Sequence, residues 1–314
     1  MRSFLRNAAL AAVLVLLMYL PSLAGWPGKP SIEFIHLTDT HVIDMTGINP
    51  PLAANRKVYA GSSGSLMHFL SSFNRKRQTA FGLLTGDVVD GYCYEDASGA
   101  PLCRQIEYVK SILDRSPIPL FLVLGNHDVQ RYKHAEGAPK PSGELSAAAA
   151  ARREWSRNFS CFRDGTYYSF RRQVGKTSYL FVVLDNSAPG DQVFVREQLE
   201  WLRGQLAVDP PGPVVLTMHV PIMEDRFSQS LKTILSESQR LLVVFAGHRH
   251  TDAIEELHIG DRRITQVRTA IFAGSDKSWR RIRLLENGME IFDTGRADRL
   301  AKRIDFKKQG AAGM

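Results

Sequence analysis

Ile32-Glu33-Phe34-Ile35-His36-Leu37-Thr38-Asp39-Thr40-His41 is a short, largely apolar run that ends in Asp-x-His. A run this continuous, closed by turn residues, suits a strand buried on both faces. Five more stretches share that character, at residues 80–84, 119–124, 179–184, 214–217 and 241–245. Between them, helical spacing predicts helices over 65–77, 105–114, 147–156, 197–207 and 227–239. Alternation of strand and helix points to βαβ units in an α/β layer architecture. From residue 259 onward, alternating segments at 262–269, 279–285 and 289–292 predict a final group of antiparallel strands. Residues 165–170 also alternate like a strand, with aromatics suited to the core.

In open α/β sheets, ligands collect at the carboxyl ends of the strands. Asp39, Asp87, Asn126, His219 and His248 each fall just past such an end. They belong to five ordered motifs: Asp39-Thr-His41, Gly86-Asp87, Gly125-Asn126-His127-Asp128, His219 and Gly247-His248-Arg249-His250. Carboxylate oxygen, imidazole nitrogen and one amide oxygen form the mixed set that suits first-row divalent metals, and the motifs read as two adjoining metal sites. Five of the nine histidines lie inside these motifs, too many for independent structural explanations. His36, His68, His134 and His258 lack such company and read as structural or exposed. Asp90 reads as a cap for the following segment, outside the ligand set.

The order of motifs resembles the calcineurin-like metallophosphoesterase superfamily, whose pattern is D-x-H, G-D, G-N-H-[DE], H and G-H-x-H. That resemblance implies a layered α-β-β-α sandwich with two divalent metal ions, manganese, iron or zinc. It implies that Asp39, His41 and His250 hold one ion and Asn126, His219 and His248 the other, with Asp87 bridging two cations about 3.5 to 4 Å apart. A water or hydroxide between the ions is the implied nucleophile. His127 is the implied general acid, with Asp128 orienting its ring. Two departures narrow the subclass. Asp90 stands where purple acid phosphatases place an iron-binding tyrosine, and Gly91 stands where protein phosphatases place an arginine. The G-N-H-D form looks more like class III cyclic nucleotide phosphodiesterases and acid sphingomyelinase-like enzymes. A phosphodiester is therefore the expected substrate, with a phosphomonoester as runner-up and a catalytically silent scaffold as the rival reading. The substrate would be a phosphorylated small molecule, a nucleotide or a lipid-type ester, and Arg131 is a candidate phosphate contact.

The 314 residues carry a formal charge of +8 and 44% hydrophobic content, ordinary for one large α/β domain. Lysine and arginine are scattered, which predicts no nucleic-acid partner. Residues 1–24 join Arg2 and Arg6 to an apolar run and a small-x-small Ser22-Leu23-Ala24. They read as an export signal, with an uncleaved membrane anchor as the alternative. Residues 25–295 then form the catalytic domain and 296–314 a basic, solvated tail. Cys93 and Cys103 are the natural disulfide pair in an exported chain, leaving Cys161 odd. The stretch from Arg131 to Ala151 reads as an insertion that could wall the pocket.

Overall fold

The computed structural model describes residues 30–73, 79–134, 141–187, 194–207, 212–223, 229–275 and 277–306. Along the chain, β1 (Ser31–Leu37), α1 (Pro50–Arg56), α2 (Ser62–Ser72) and β2 (Thr79–Thr85) come first. A short excursion through β3 (Cys93–Glu95) and β4 (Pro101–Leu102) leads to α3 (Gln105–Leu113) and β5 (Leu120–Val123). Then follow β6 (Arg131–Lys133), β7 (Ser142–Glu144) and α4 (Ala148–Asn158). The second half runs β8 (Tyr168–Val174), β9 (Thr177–Val183), α5 (Arg196–Ala207), β10 (Val214–Thr217), α6 (Gln229–Glu237) and β11 (Leu241–Ala246). It closes with β12 (Ala253–Ile259), β13 (Arg262–Arg268), β14 (Arg280–Leu285), β15 (Gly288–Asp293) and β16 (Arg296–Asp305).

Two six-stranded sheets result, ordered β16-β15-β14-β1-β2-β5 and β12-β13-β11-β10-β9-β8. Their inner faces meet through rings from both: Phe34 and Phe81 of the first sheet stack at 4.8 Å, and Phe181 and Phe245 of the second meet Phe34 edge-on at 5.6 and 5.8 Å. Each fully buried ring contributes roughly 2–3 kcal/mol, which favours holding the sheets face to face. Outside the first sheet, α2, α3 and α4 bury Leu66, Phe69, Ile106, Val109 and Trp155. Outside the second, α5 and α6 bury Leu202, Leu231, Ile234 and Leu235. The layers are therefore α-β-β-α. Residues such as Phe34, Phe81 and Val215 face the partner sheet, while Ile35, Leu84 and Leu216 face helices, which explains why these strands read as continuous apolar runs.

β1, β2 and β5 are mutually parallel, as are β9, β10, β11 and β13. Their carboxyl ends carry the motifs to one edge of the sandwich. Two sequence expectations are corrected. β13 pairs parallel with β11 as well as antiparallel with β12, so the last strands are not purely antiparallel. The basic stretch beginning at Arg296 is no solvated tail over its first ten residues: it is β16, the edge strand paired to β15, and its exposed charges guard that edge. The stretch after the third motif, read as an insertion, contributes β6 and β7 to a small third sheet, β4-β3-β6-β7, and leads into α4. The expected disulfide joins Cys93 to Cys103, tying β3 to the approach to α3, and Cys161 is free. Among the described residues no helix is long and apolar enough to cross a membrane. The segment read as an export signal lies outside the described residues.

Candidate metal centre

The loops that leave the parallel strands turn sharply. Among the described residues, the non-glycine positions with positive φ are Asp39, His41, Asp87, His248 and His250, at 52°, 41°, 49°, 68° and 58°. Left-handed backbone is uncommon outside glycine, and although Asp and His adopt it more readily than other side chains, five such positions in three neighbouring loops mark a constrained region. The motif glycines serve the same crowding. A Cβ on Gly125 would lie 2.2 Å from Asp87 Oδ1, one on Gly247 1.8 Å from Thr38 Oγ1, and one on Gly86 2.4 Å from His219 Nδ1. Only a glycine lets these loops approach so closely.

Among the described residues the donor atoms converge in three overlapping groups: Asp39, His41, Asp87 and His250 form the first, Asp87, His219 and His248 the second, and His41, Asp90 and His127 the third, so Asp87 belongs to the first two. Asn126 joins the second group: its Oδ1 lies 3.2 Å from His219 Nε2 and 3.0 Å from His248 Nδ1. His41 Nε2 faces His250 Nε2 at 3.4 Å, and His248 Nδ1 faces His219 Nε2 at 3.3 Å. Lone pairs turned toward one another in this way need a cation or a proton between them. Buried Asp39 Oδ1 makes no hydrogen bond, although His250 Nε2 stands 3.3 Å away. An orphaned carboxylate oxygen aimed at converging imidazoles is the arrangement a divalent ion satisfies, and the donor set fits manganese, iron or zinc.

Supporting contacts orient the rings. His219 Nδ1 donates to the Thr85 carbonyl at 2.8 Å, leaving Nε2 turned to Asp87 Oδ2 at 3.2 Å. Burial opposes a charge on His219, but the Asp87 carboxylate pushes its pKa up to about 10. A cation held by the same carboxylate would replace that proton. His248 is pushed down to about 4 by burial and by the charge of His219. Burial alone would raise Asp39 and Asp87, yet the surrounding histidines hold both below the usual carboxylate range. The side-chain amide of Asn186, just past β9, accepts from His219 N at 3.0 Å and Val220 N at 3.1 Å and donates to Val220 O at 2.9 Å, fixing the loop that carries His219.

His127, read as the general acid, lies beside the group, with Nε2 4.0 Å from Asp87 Oδ2. Its Nδ1 is held by the Asp90 carbonyl at 2.8 Å and the Tyr132 hydroxyl at 2.9 Å. Asp128, expected to orient this ring, does something else. It is buried, and its carboxylate accepts from Val89 N at 2.9 Å and Gly125 N at 2.7 Å. The 3-10 turn His127–Val129 carries neighbouring side chains in different directions, so Asp128 shapes the loop while Asp90 and Tyr132 hold the ring. Arg131, read as a candidate phosphate contact, is directed to Glu95 at 3.5 Å. Asp90 is buried against His41 Nδ1 at 3.2 Å instead of capping a helix. Asp90, Asn186, Arg56, Tyr59 and Tyr132 were not legible as site residues. The Gly86-Asp87-Val88-Val89-Asp90 spacing was the one available signal, since two acidic residues three apart can flank one bend.

Residues 32–252 match the calcineurin-like phosphoesterase family. A Rhodococcus erythropolis protein named "Probable cyclic nucleotide phosphodiesterase" is 25% identical over 234 residues, which are 71% of this chain and 66% of the relative, just under two-thirds of its length. The fold is similar to that of a dimetal phosphatase from Danio rerio, with 17% identity, 88% of this chain and 100% of that one covered, and a TM-score of 0.57. It is also similar to PhoD, with 12% identity, 88% and 69% coverage and a TM-score of 0.53. With residues 32–252, most of this chain, matched by the family, the chain belongs to the calcineurin-like phosphoesterases, a family of metal-dependent phosphoester hydrolases.

Proposed function

We propose that the chain is a binuclear, divalent-metal-dependent hydrolase that favours phosphodiesters. The observation that carries this reading is the presence of Asp87 in two donor groups: its Oδ2 stands 3.9 Å from His41 Nε2 and 3.2 Å from His219 Nε2, while Oδ1 accepts from His127 N at 2.9 Å, and a carboxylate placed between two sets of donors can serve two ions at once. Asp39, His41 and His250 would hold one ion, and Asn126, His219 and His248 the other. Divalent cations bound there would neutralise phosphate oxygens and lower the pKa of a shared water. The chain's own residues do the rest. The left-handed turns fix the donors before substrate arrives, so little reorganisation is left for the reaction. His127, its Nδ1 anchored, presents Nε2 toward the site and can deliver a proton to the departing oxygen. Burial lowers its pKa, which makes it a stronger acid once protonated.

The preference for a diester is supported by the G-N-H-D block and by the name of the Rhodococcus relative. Export is our reading of residues 1–24, and the Cys93–Cys103 disulfide is in keeping with an oxidising compartment. The test is a turnover panel of bis(p-nitrophenyl) phosphate, p-nitrophenyl phosphate, cyclic and linear nucleotides and phospholipid-type diesters, each with manganese, iron or zinc. Metal-dependent turnover highest on a diester is expected. A monoester preference moves the reading to phosphatase, and metal-loaded protein without turnover of any ester makes it a scaffold. His127→Ala is expected to keep its metals and to lose about 10²–10⁴-fold in kcat on alkyl leaving groups, with a smaller loss on p-nitrophenolate. Equal losses on both would remove His127 from the proton-transfer role.

A further inference from the structure

Asp90 belongs to no expected ligand set, yet its buried carboxylate is fully engaged. Oδ1 accepts from His41 Nδ1 at 3.2 Å and from Arg56 Nη2, while Oδ2 accepts from Arg56 Nε at 2.7 Å and the Tyr94 hydroxyl at 2.7 Å. A carboxylate offers about four lone-pair sites, and all four are used. Because His41 Nδ1 donates to Asp90, Nε2 keeps its lone pair and faces Asp39 Oδ1 and Asp87 Oδ2, each 3.9 Å away. The same imidazole is stacked on Tyr59 with centroids 4.5 Å apart and planes 14° from parallel. The Arg56 guanidinium lies 5.0 Å from the ring centres of both Tyr59 and Tyr132. Arg56 therefore touches the two groups that hold the His41 ring, the carboxylate at its edge and the aromatic on its face. It reaches there from the end of α1, outside all five motifs.

We propose that Arg56 is a positioning residue for His41, setting the orientation and donor strength of that imidazole toward a divalent cation. The proposal rests on the reading of Asp39, His41, Asp87 and His250 as a metal site. A carboxylate behind a ligating histidine fixes its tautomer and raises its basicity. An unpaired buried Asp90 would do this too strongly and would itself be costly to bury. The guanidinium fork offsets that charge and, by gripping both oxygens, locks the carboxylate plane against which His41 is aligned. The Asp90 carboxylate lies 3.8 Å from His127 Nδ1, beyond a hydrogen bond, so its side chain serves the metal ligand while its carbonyl serves the proton donor.

The test titrates Co²⁺ into metal-stripped full-length protein, following the visible absorption of the bound ion, for wild type, Arg56→Lys, Arg56→Met and His41→Ala. His41→Ala identifies which binding step involves His41. Arg56→Met is expected to weaken that step about 10–100-fold, to shift its absorption band and to leave the other step unchanged. Arg56→Lys, which keeps the charge and loses the fork, falls between. Unchanged affinity and spectrum at the His41 step in Arg56→Met would overturn the proposal, even if the melting temperature of the stripped protein falls, because that is what a purely structural arginine does. Should Arg56→Met not fold, Arg56→Lys carries the same comparison, because it keeps the Asp90 carboxylate and loses only the fork that grips it. If wild type binds one ion only, the binuclear reading fails, while Arg56 is still judged by whether its replacement weakens the ion that His41→Ala removes.

Discussion

Asp39, His41, Asp87, His248 and His250 hold a backbone conformation that costs roughly 1–3 kcal/mol each, and all five are proposed metal ligands. Strain placed there persists because the strands and the hydrogen bonds beneath the site leave the loops no relaxed alternative. One buried group beneath the site ties this to pH. His36 lies between the Thr85 and Thr269 hydroxyls, 2.8 Å from each. Burial, reinforced by the charge of Arg280, lowers its pKa from 6.5 to about 3. The folded protein therefore refuses a proton that the unfolded chain accepts below pH 6.5. The stability His36 contributes is fully present above 6.5 and is lost as pH falls toward 3. In metal-stripped protein, urea unfolding at pH 6 and pH 4 is expected to show wild type losing about 2 kcal/mol more than His36→Gln over that interval. Equal losses would mean that His36 is already charged in the native state.

At the scale of elements, each strand of the parallel sets delivers a loop, and the loop after β5 shows how much depends on one carboxylate. Asp128 satisfies the buried Val89 and Gly125 amides, and its own carbonyl accepts from Trp155 Nε1 of α4 at 2.9 Å. Asp128→Ala leaves two buried donors unmet and is expected to cost about 2–4 kcal/mol in denaturant unfolding. A fully stable Asp128→Ala whose loss is confined to poor leaving groups would return Asp128 to the ring-orienting role. The central strands were legible in the sequence as continuous apolar runs, and the amphipathic helices by their period. α1 was not: it begins at Pro50-Pro51, which reads as a turn, and spans only seven residues. Strands β3, β4, β6 and β7 are too short to show a period. β12 and β16 are rich in charge, because one face or one edge meets solvent. The ligands were legible as residue types past strand ends. Their partners Asp90, Arg56 and Asn186 were not, because only the folded loops bring residues 33 to 49 positions apart into contact.

For the whole molecule, the site is a seam. Asp39, His41, Asp87 and Asn126 come from the sheet that contains β1, β2 and β5, while His219, His248 and His250 come from the sheet that contains β10 and β11. Each of the two proposed ion sites draws on both sheets, so bound cations would clamp the two halves together across the same edge that the aromatic core aligns. Metal should accordingly stabilise the protein as well as activate it, by about 2.7 kcal/mol at a hundredfold excess over Kd for each ion. The most direct measurement is the number of divalent ions per chain, by elemental analysis after reconstitution and desalting, alongside diester turnover, for wild type and Asp87→Asn. Two ions per wild-type chain, with loss of at least one ion and of turnover in Asp87→Asn, is the expected result. One ion per chain at full turnover, or an Asp87→Asn protein that keeps two ions and full activity, would contradict a centre bridged by Asp87.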